Sequence, residues 1–194
     1  MAPRSARTAT GPPSVGPRVV ACSGWGSAVH CVDVTGDLTT AVTVLAAVGC
    51  ALMGGVFFAF STIVMSGLRR LPAPSGLTAM QAINAAVGPV FLAALFLPAA
   101  ACVALAVDAG LDLGAENAGL RLTGSLLYLA GSIVLTIAYH VPRNERLATV
   151  DPAAPDAGAR WLRYAAGWTT WNHARTLASL AAAAILTVAL VRGR

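Results

Sequence analysis

The sequence predicts an all-α integral membrane protein, a four-helix transmembrane bundle that follows a disordered N-terminal tail. Composition is the first reason, since 57% of the 194 residues are hydrophobic and only 11% are charged, as in polytopic membrane proteins. The second reason is that four apolar stretches are each long enough to cross a hydrocarbon core about 30 Å thick. The third is the contrast with residues 1–36, where proline, glycine and serine are frequent and no helical period occurs.

These observations divide the chain into a disordered tail at 1–36 and a transmembrane domain at 37–194. The tail lacks the apolar surface that would offset the entropy of ordering it. We predict a multi-pass protein of the cell membrane, in which the loops after the first and third spans share one side. The predicted spans lie at about 38–65, 83–107, 120–140 and 174–191.

Charge and cysteine spacing argue against two classes of function. The net charge of +5 comes from arginine, because the chain has no lysine, and the arginines lie in loops and tails beside apolar spans. We therefore expect the lipid bilayer as a partner and no nucleic acid. The four cysteines lack the CxxC spacing of a metal site, although Cys22 and Cys31 could form a disulfide in an oxidising compartment.

Small and aromatic residues share one face of the first span. Cys50, Gly54, Phe57 and Ser61 recur at spacings of three and four residues. Small residues on one face favour close packing against a neighbouring helix. The same face could instead line a phenylalanine-walled pocket for a flat apolar ligand.

Two amides open the second span. Gln81 and Asn84 lie one helical turn apart, and amides on an inward face need hydrogen-bond partners. Further along, Gly88-Pro89 and then Pro98 interrupt the backbone hydrogen-bond ladder. We therefore expect a kink within this span.

The third span carries a polar stripe, which lipid cannot satisfy and which therefore faces the bundle interior. The stripe serves either as interhelical hydrogen bonding or as the lining of a cavity that descends from His140. Its two tyrosines suit the second role, since each has a flat apolar ring and a polar hydroxyl group. The stripe consists of Ser125, Tyr128, Ser132, Thr136, Tyr139 and Arg143.

Aromatic residues lead into the fourth span. Asp156 is a candidate N-cap, and no proline follows it. The aromatic side chains recur at spacings of three and four residues, so they form either an interfacial belt or a lid over the polar residues at this end. They are Trp161, Tyr164, Trp168 and Trp171.

Polar and ionisable residues gather at the end of the bundle that the first and third loops share. Such groups are expensive at membrane depth, so their clustering predicts a functional site. Asn172 and His173 are about 100° apart around a helix, so at most one of them points squarely inward. The cluster consists of Arg69, Arg70, Gln81, Asn84, His140, Arg143, Asn144, Trp171, Asn172, His173 and Arg175.

Four segments resemble the anthrone oxygenase-like membrane family. They are Gly-Gly-Val-Phe-Phe-Ala-Phe-Ser at 54–61, Met-Gln-Ala-Ile-Asn at 80–84, Val-Pro-Arg-Asn-Glu at 141–145 and Trp-Thr-Thr-Trp-Asn-His-Ala-Arg-Thr at 168–176. The resemblance covers roughly residues 38–191 and implies a four-helix membrane fold. It also implies a monooxygenase of secondary metabolism, an oxidoreductase that converts an anthrone into an anthraquinone with O2 as co-substrate and no organic cofactor. The residues that match are Asn84, Asn144, Trp171, Asn172 and Arg175.

The implied chemistry assigns roles to these residues. An anthrone is a mildly acidic carbon acid whose enolate can give an electron to O2, so the protein needs a base, oxyanion donors and a dry aromatic pocket. Histidine suits the role of base. The candidate catalytic residues are His140 as the base, with Arg175, Asn172, Asn84 and Asn144. The candidates for binding a hydrophobic aromatic small molecule are Gln81, Phe57, Tyr139, Trp168 and Trp171.

Two alternatives stay open beside the oxygenase without a cofactor. A copper or iron oxygenase could use His140 and His173 with Asn84 or Asn144 as a third ligand. A non-catalytic membrane protein, either a binding subunit or a transport component, is the alternative from another class. Transport predicts a polar path through both halves of the bundle. A homo-oligomer is compatible with each of these functions.

Overall fold

Four long helices form the membrane domain, which confirms the predicted fold class. The structure is a computed structural model that describes residues 20–23 and 30–193. We name the four helices that are long and apolar enough to cross a membrane as spans 1 to 4. Span 1 is Gly36–Leu68, span 2 is Pro89–Leu111, span 3 is Ala118–Ala148 and span 4 is Ala157–Arg192.

Two of the spans are not regular α-helices throughout. Span 1 is α-helical over Val34–Ala59 and Met65–Leu68, with a π-helical turn at Phe60–Val64 between them. Span 3 is α-helical over Ala118–Tyr128 and Val141–Ala148, with π-helical segments at Leu129–Val134 and Thr136–His140. Such π-helical turns often occur at functional sites. All three π-helical segments lie in, or directly next to, the half of the bundle where the polar cluster was predicted.

The spans pack as a closed ring in which each contacts its two neighbours. Span 1 packs against spans 2 and 4, and span 3 packs against the same two helices. Apolar residues from all four spans fill the centre, among them Met53, Leu95, Leu105, Tyr128 and Leu186. Large apolar side chains also cover the outside of the bundle, as expected for a protein that contacts lipid.

Glycine allows span 4 to approach span 1 closely. A Cβ atom built on Gly54 would lie 2.7 Å from Leu180 Cδ2 and 3.3 Å from the Leu180 backbone nitrogen, whereas one built on the adjacent Gly55 would meet no atom within 4 Å. Small residues at such crossings let helix backbones come together. The packing interpretation of the Gly54 face is therefore correct for this part of span 1.

Gly54→Leu is expected to destabilise the bundle, while Gly55→Leu leaves it intact. The first side chain must displace Leu180 from a packed contact, and overpacking of this kind costs about 1–3 kcal/mol. The leucine at position 55 enters open space. The two variants are matched, because each replaces one glycine of the same helix by leucine. Thermal unfolding in detergent measures the difference, and equal midpoints for the two variants would contradict the packing argument.

The second span begins later than predicted. The residues before it form a separate connecting helix, Ala73–Ala85, and span 2 starts at Pro89 after Gly88 in extended backbone, with φ −109° and ψ −179°. Proline has no N–H to continue a preceding helix and disfavours helical backbone at the residue before it. The predicted kink at Gly88-Pro89 is therefore a complete break, whereas Pro98 lies inside the span as expected.

Spans 3 and 4 extend beyond their predicted apolar limits. The segment at 141–148, predicted as loop, is helical, and the fourth helix already begins at Ala157. Asp156 occupies the N-cap position but makes no capping hydrogen bond with its side chain. Its Oδ2 instead accepts a hydrogen bond from Arg160 Nε at 2.7 Å. Hydropathy finds the part of a helix that crosses hydrocarbon, and these helices continue past it.

Part of the predicted tail has regular backbone structure. Val20–Ser23 pairs antiparallel with His30–Asp33, and the register sets Cys22 opposite Cys31. The first helix then starts at Val34, just inside the predicted tail. The prediction of disorder over 1–19 and 24–29, and the disulfide hypothesis for the two cysteine side chains, lie outside the described residues.

Candidate functional site

A cavity of about 450 Å³ lies inside the bundle at the end where the polar cluster was predicted. Its walls are mostly apolar, and its polar groups converge from three different helices. The apolar walls include Phe57, Phe60, Phe91, Leu95, Phe96 and Trp168, and the polar lining includes Asn84, His140, Asn144, Asn172 and Arg175. The size and the mixed lining are typical of a small-molecule site.

Helical spacing brings the polar residues together. The connecting helix supplies Asn84, and span 3 supplies His140 and Asn144, which lie four residues apart. Span 4 supplies Asn172 and Arg175 at a spacing of three residues, which puts them on one face. The structure thus gathers all five candidate catalytic residues around one cavity, and their chemical roles stay predictions.

Asn172 is buried and holds spans 1 and 4 together. Its Nδ2 donates to the Phe57 carbonyl oxygen at 2.7 Å and to Ser61 Oγ at 2.8 Å. Its Oδ1 accepts from Arg175 Nη1 at 3.2 Å. Both amide protons are therefore in use within the protein, so Asn172 positions Arg175 and does not offer a free donor to a ligand.

Arg175 is a buried cation that faces the cavity. Its side chain is only 5% exposed, its guanidinium carbon lies 3.7 Å from the centre of the Phe57 ring, and its Nε has no hydrogen-bond partner in the described part of the chain. Among the described residues, no Asp or Glu lines the cavity. A buried charge without a counterion is costly, so the site favours a ligand that carries negative charge or develops it.

His140 is buried next to Arg175 in the cavity lining, and aromatic rings surround it. Its ring centre lies 5.2 Å from that of Trp168 and 5.5 Å from that of Tyr139, each with an edge contact. Neither ring nitrogen has a partner of hydrogen-bond geometry within the described residues, although the Trp171 backbone is nearby. Both nitrogens are buried, and the nearby Trp171 backbone leaves at most one of them available to exchange a proton with a ligand.

Two further donors belong to residues that line the same cavity and make no hydrogen bond of regular geometry within the described residues. They are Asn84 Nδ2, which lies near the Tyr164 hydroxyl, and Trp168 Nε1. Asn144 differs, because its Oδ1 accepts a hydrogen bond from the Tyr164 hydroxyl at 2.8 Å. Buried polar groups usually have partners, so these groups make the cavity the candidate ligand site.

Three predicted substrate-binding residues do not line the cavity. Gln81 Nε2 donates to the carbonyl oxygens of Leu147 and Val150, each at 2.9 Å, so Gln81 holds the connecting helix against the end of span 3. Tyr139 and Trp171 pack against each other with ring centres 5.1 Å apart. Each precedes a cavity residue by one position, and the rotation of about 100° turns it away.

The aromatic series divides among the core, the cavity wall and the surface. Trp161 is buried against Tyr164 with ring centres 6.0 Å apart, and Trp168 lines the cavity, as the lid interpretation expects. Trp171 is 43% exposed, and its place in an interfacial belt stays a prediction.

The polar stripe of span 3 also divides into two parts. The Tyr128 hydroxyl donates to the Leu95 carbonyl oxygen at 3.0 Å, and Ser132 Oγ bonds Ser179 Oγ at 2.6 Å. Nearer the polar end, Thr136 lines the cavity. The stripe is thus interhelical hydrogen bonding in its deeper half and cavity lining at its end.

The histidine pair of the metal hypothesis does not meet. His140 lines the cavity, whereas His173 is exposed, as expected if only one of Asn172 and His173 points inward. Over 30–193 no group of three or more His, Cys, Asp or Glu residues is close enough to share a metal ion. Arg69 and Arg70 are exposed as well.

Sequence reasoning missed part of the cavity wall. Phe60 and Phe96 line it, but each is one apolar residue among many in its span, so no sequence signal separates it from its lipid-facing neighbours. Tyr164, the partner of Asn144, is different, because its spacing from Trp161 and Trp168 already placed it on a shared helical face.

Comparison with known proteins identifies the family. The family described as "Anthrone oxygenase" matches residues 78–185, which is more than half of the chain. The match includes most of the connecting helix, spans 2 and 3 and most of span 4, and therefore every candidate catalytic residue. No curated protein and no solved structure was found to match the chain. On the strength of the family match, the chain belongs to the anthrone oxygenase family.

Proposed function

We propose that this protein is an oxygenase of the cell membrane that acts with O2, without a cofactor, on an anthrone-like or other electron-rich aromatic molecule. One observation carries the proposal: within the described part of the chain, a buried guanidinium without a carboxylate partner and a buried histidine line the same largely apolar cavity. This combination suits a neutral aromatic carbon acid that becomes an anion within the site.

The first step is removal of a proton from the substrate carbon. A ring nitrogen of His140 takes this proton, and the electron pair moves onto the substrate oxygen as an enolate. Arg175 stabilises that oxyanion, and Asn84 Nδ2 and Trp168 Nε1 are further donors for it. Donors that are already oriented in a dry site stabilise developing charge strongly.

The second step joins the enolate to O2. The enolate gives one electron to O2, and the radical pair combines to form a carbon–oxygen bond and a peroxide anion. The proton held by His140 neutralises this anion. Loss of the second proton from the same carbon then breaks the oxygen–oxygen bond and releases water. Anthrone and O2 thus yield anthraquinone and water, and the substrate supplies all the electrons.

The surroundings favour this chemistry. The apolar walls exclude water, which strengthens electrostatic interactions inside the cavity. Both O2 and planar aromatics dissolve better in hydrocarbon than in water, so the bilayer concentrates them. The deeper half of the bundle is closed by the contacts of Tyr128 and Ser132. This closure argues against a transport path, which would need polar groups through both halves.

The proposal predicts that the purified protein oxidises an anthrone in lipid nanodiscs. We expect O2 consumption above the rate in empty nanodiscs, one quinone formed per O2 consumed, and one atom of labelled O2 in the quinone. A metal chelator should leave the rate unchanged. A rate equal to that in empty nanodiscs would contradict the proposal, and a loss with chelator that copper or iron restores would support the metal oxygenase instead.

A further inference from the structure

The cavity has an apolar opening toward the lipid-facing side of the bundle. Leu92 and Phe96 of span 2 and Ile137 and Val141 of span 3 all line it. Each of these four side chains is also between 40% and 58% exposed on the outer surface of the protein, and so is Val87, which lines the cavity from the break just before span 2. A residue that both lines a cavity and faces outward marks the place where the cavity opens.

The opening is a slot between two helices. Leu92 and Phe96 are four residues apart on one helix, and Ile137 and Val141 are four residues apart on the other, so each pair forms one edge. Span 2 makes its main contacts with span 3 over residues 118–134. The edges lie beyond that contact, and on span 3 Ile137 belongs to the π-helical segment Thr136–His140 while Val141 directly follows it.

The composition of the slot suits the hydrocarbon region of a bilayer. Phe96 is seven residues into span 2, which begins at Pro89, and a rise of 1.5 Å per residue puts it about 10 Å along the helix. All four edge residues are apolar, so an aqueous solute gains nothing by approaching them. A planar aromatic molecule dissolved in the bilayer can pass such edges without losing hydration.

The polar groups of the site lie behind this slot. Arg175, His140, Asn84 and Trp168 line the same cavity. We propose that the cavity is loaded sideways from the bilayer through the slot between Leu92 and Phe96 on span 2 and Ile137 and Val141 on span 3. The slot selects flat, lipid-soluble aromatic ligands with oxygen acceptors. This inference deepens the proposed function and concerns the same site.

Reversible obstruction of the slot tests this route. The variant Ile137→Cys is labelled with benzyl methanethiosulfonate, and a reductant then removes the label. Val134→Cys is the matched control, because Val134 lies on the same helix with 59% exposure and is not among the cavity-lining residues. Cys22→Ser and Cys31→Ser remove the tail thiols from both variants, and Cys50 and Cys102 are fully buried.

The readout is binding of a dihydroxyanthraquinone, which resembles the product and needs no turnover. Its association rate in nanodiscs is followed by quenching of tryptophan fluorescence. We expect the label at position 137 to slow association about tenfold or more, with recovery after reduction. The label at position 134 should change the rate less than about twofold.

The outcomes separate entry from catalysis. Equal rates for the two labelled variants, whether both slow or both unchanged, would overturn the lateral route. Absence of binding to the unlabelled protein would overturn it together with the proposed aromatic site. Slot-dependent binding without anthrone oxidation would support the route and overturn the oxygenase proposal alone.

Discussion

Arg175→Lys is expected to fold and insert like the original protein but to oxidise an anthrone about 100-fold more slowly or worse. Lysine keeps a positive charge, so it would preserve any role in anchoring to lipid headgroups. It loses the planar guanidinium that lies over Phe57, the hydrogen bond to Asn172 Oδ1 and the free Nε. Removal of one preorganised oxyanion donor typically costs on the order of 100-fold or more in rate.

Span 4 also supplies a matched control for this change. Arg192 is exposed near the far end of the same helix, so Arg192→Lys should leave both insertion and rate unchanged. Insertion is followed by the yield of monodisperse protein in detergent, and the rate by O2 consumption. An unchanged oxidation rate in Arg175→Lys would remove Arg175 from the proposed mechanism.

His140→Ala should reduce the rate at least about 100-fold at neutral pH, which is the usual contribution of a general base. The loss should be partly relieved as the pH rises, because the substrate then ionises without help from the protein. Arg175 would still bind the enolate that forms. A variant that lost activity through misfolding would not recover in this way, so the pH profile separates the two causes.

The neighbouring histidine provides the control. His173 is exposed and does not line the cavity, so His173→Ala should keep the full rate at every pH. If His140 and His173 were instead shared metal ligands, both variants would lose activity. Full activity in both His140→Ala and Arg175→Lys would remove both residues from the mechanism.

Much of the architecture follows from local properties of the sequence. The spans are recognisable because transfer of a helix into hydrocarbon depends on the hydropathy of its own residues. The side shared by the first and third loops follows from counting crossings. Helical geometry also predicts that Asn172 and His173 cannot both face inward, and the structure has Asn172 buried and His173 exposed.

The candidate site was predictable for polar residues and much less so for apolar ones. Polar groups at membrane depth are costly and are usually kept for function. This made five residues conspicuous in the sequence: Asn84, His140, Asn144, Asn172 and Arg175. Gln81, Tyr139 and Trp171 were equally conspicuous, but they contact loop carbonyls or each other instead of the cavity. A polar residue near a site can thus be satisfied by the protein itself, and only its contacts reveal this.

The sequence alone determined the class of protein, the number of crossings and the end of the bundle that holds the polar site. The tertiary structure alone decided the break at Gly88-Pro89, the use of both Asn172 amide protons, and the slot between spans 2 and 3. The physical reason is that lipid tails are as apolar as leucine. Hydropathy therefore cannot tell whether Phe96 faces lipid, a neighbouring helix or a cavity, and that choice depends on how the helices are rotated and packed.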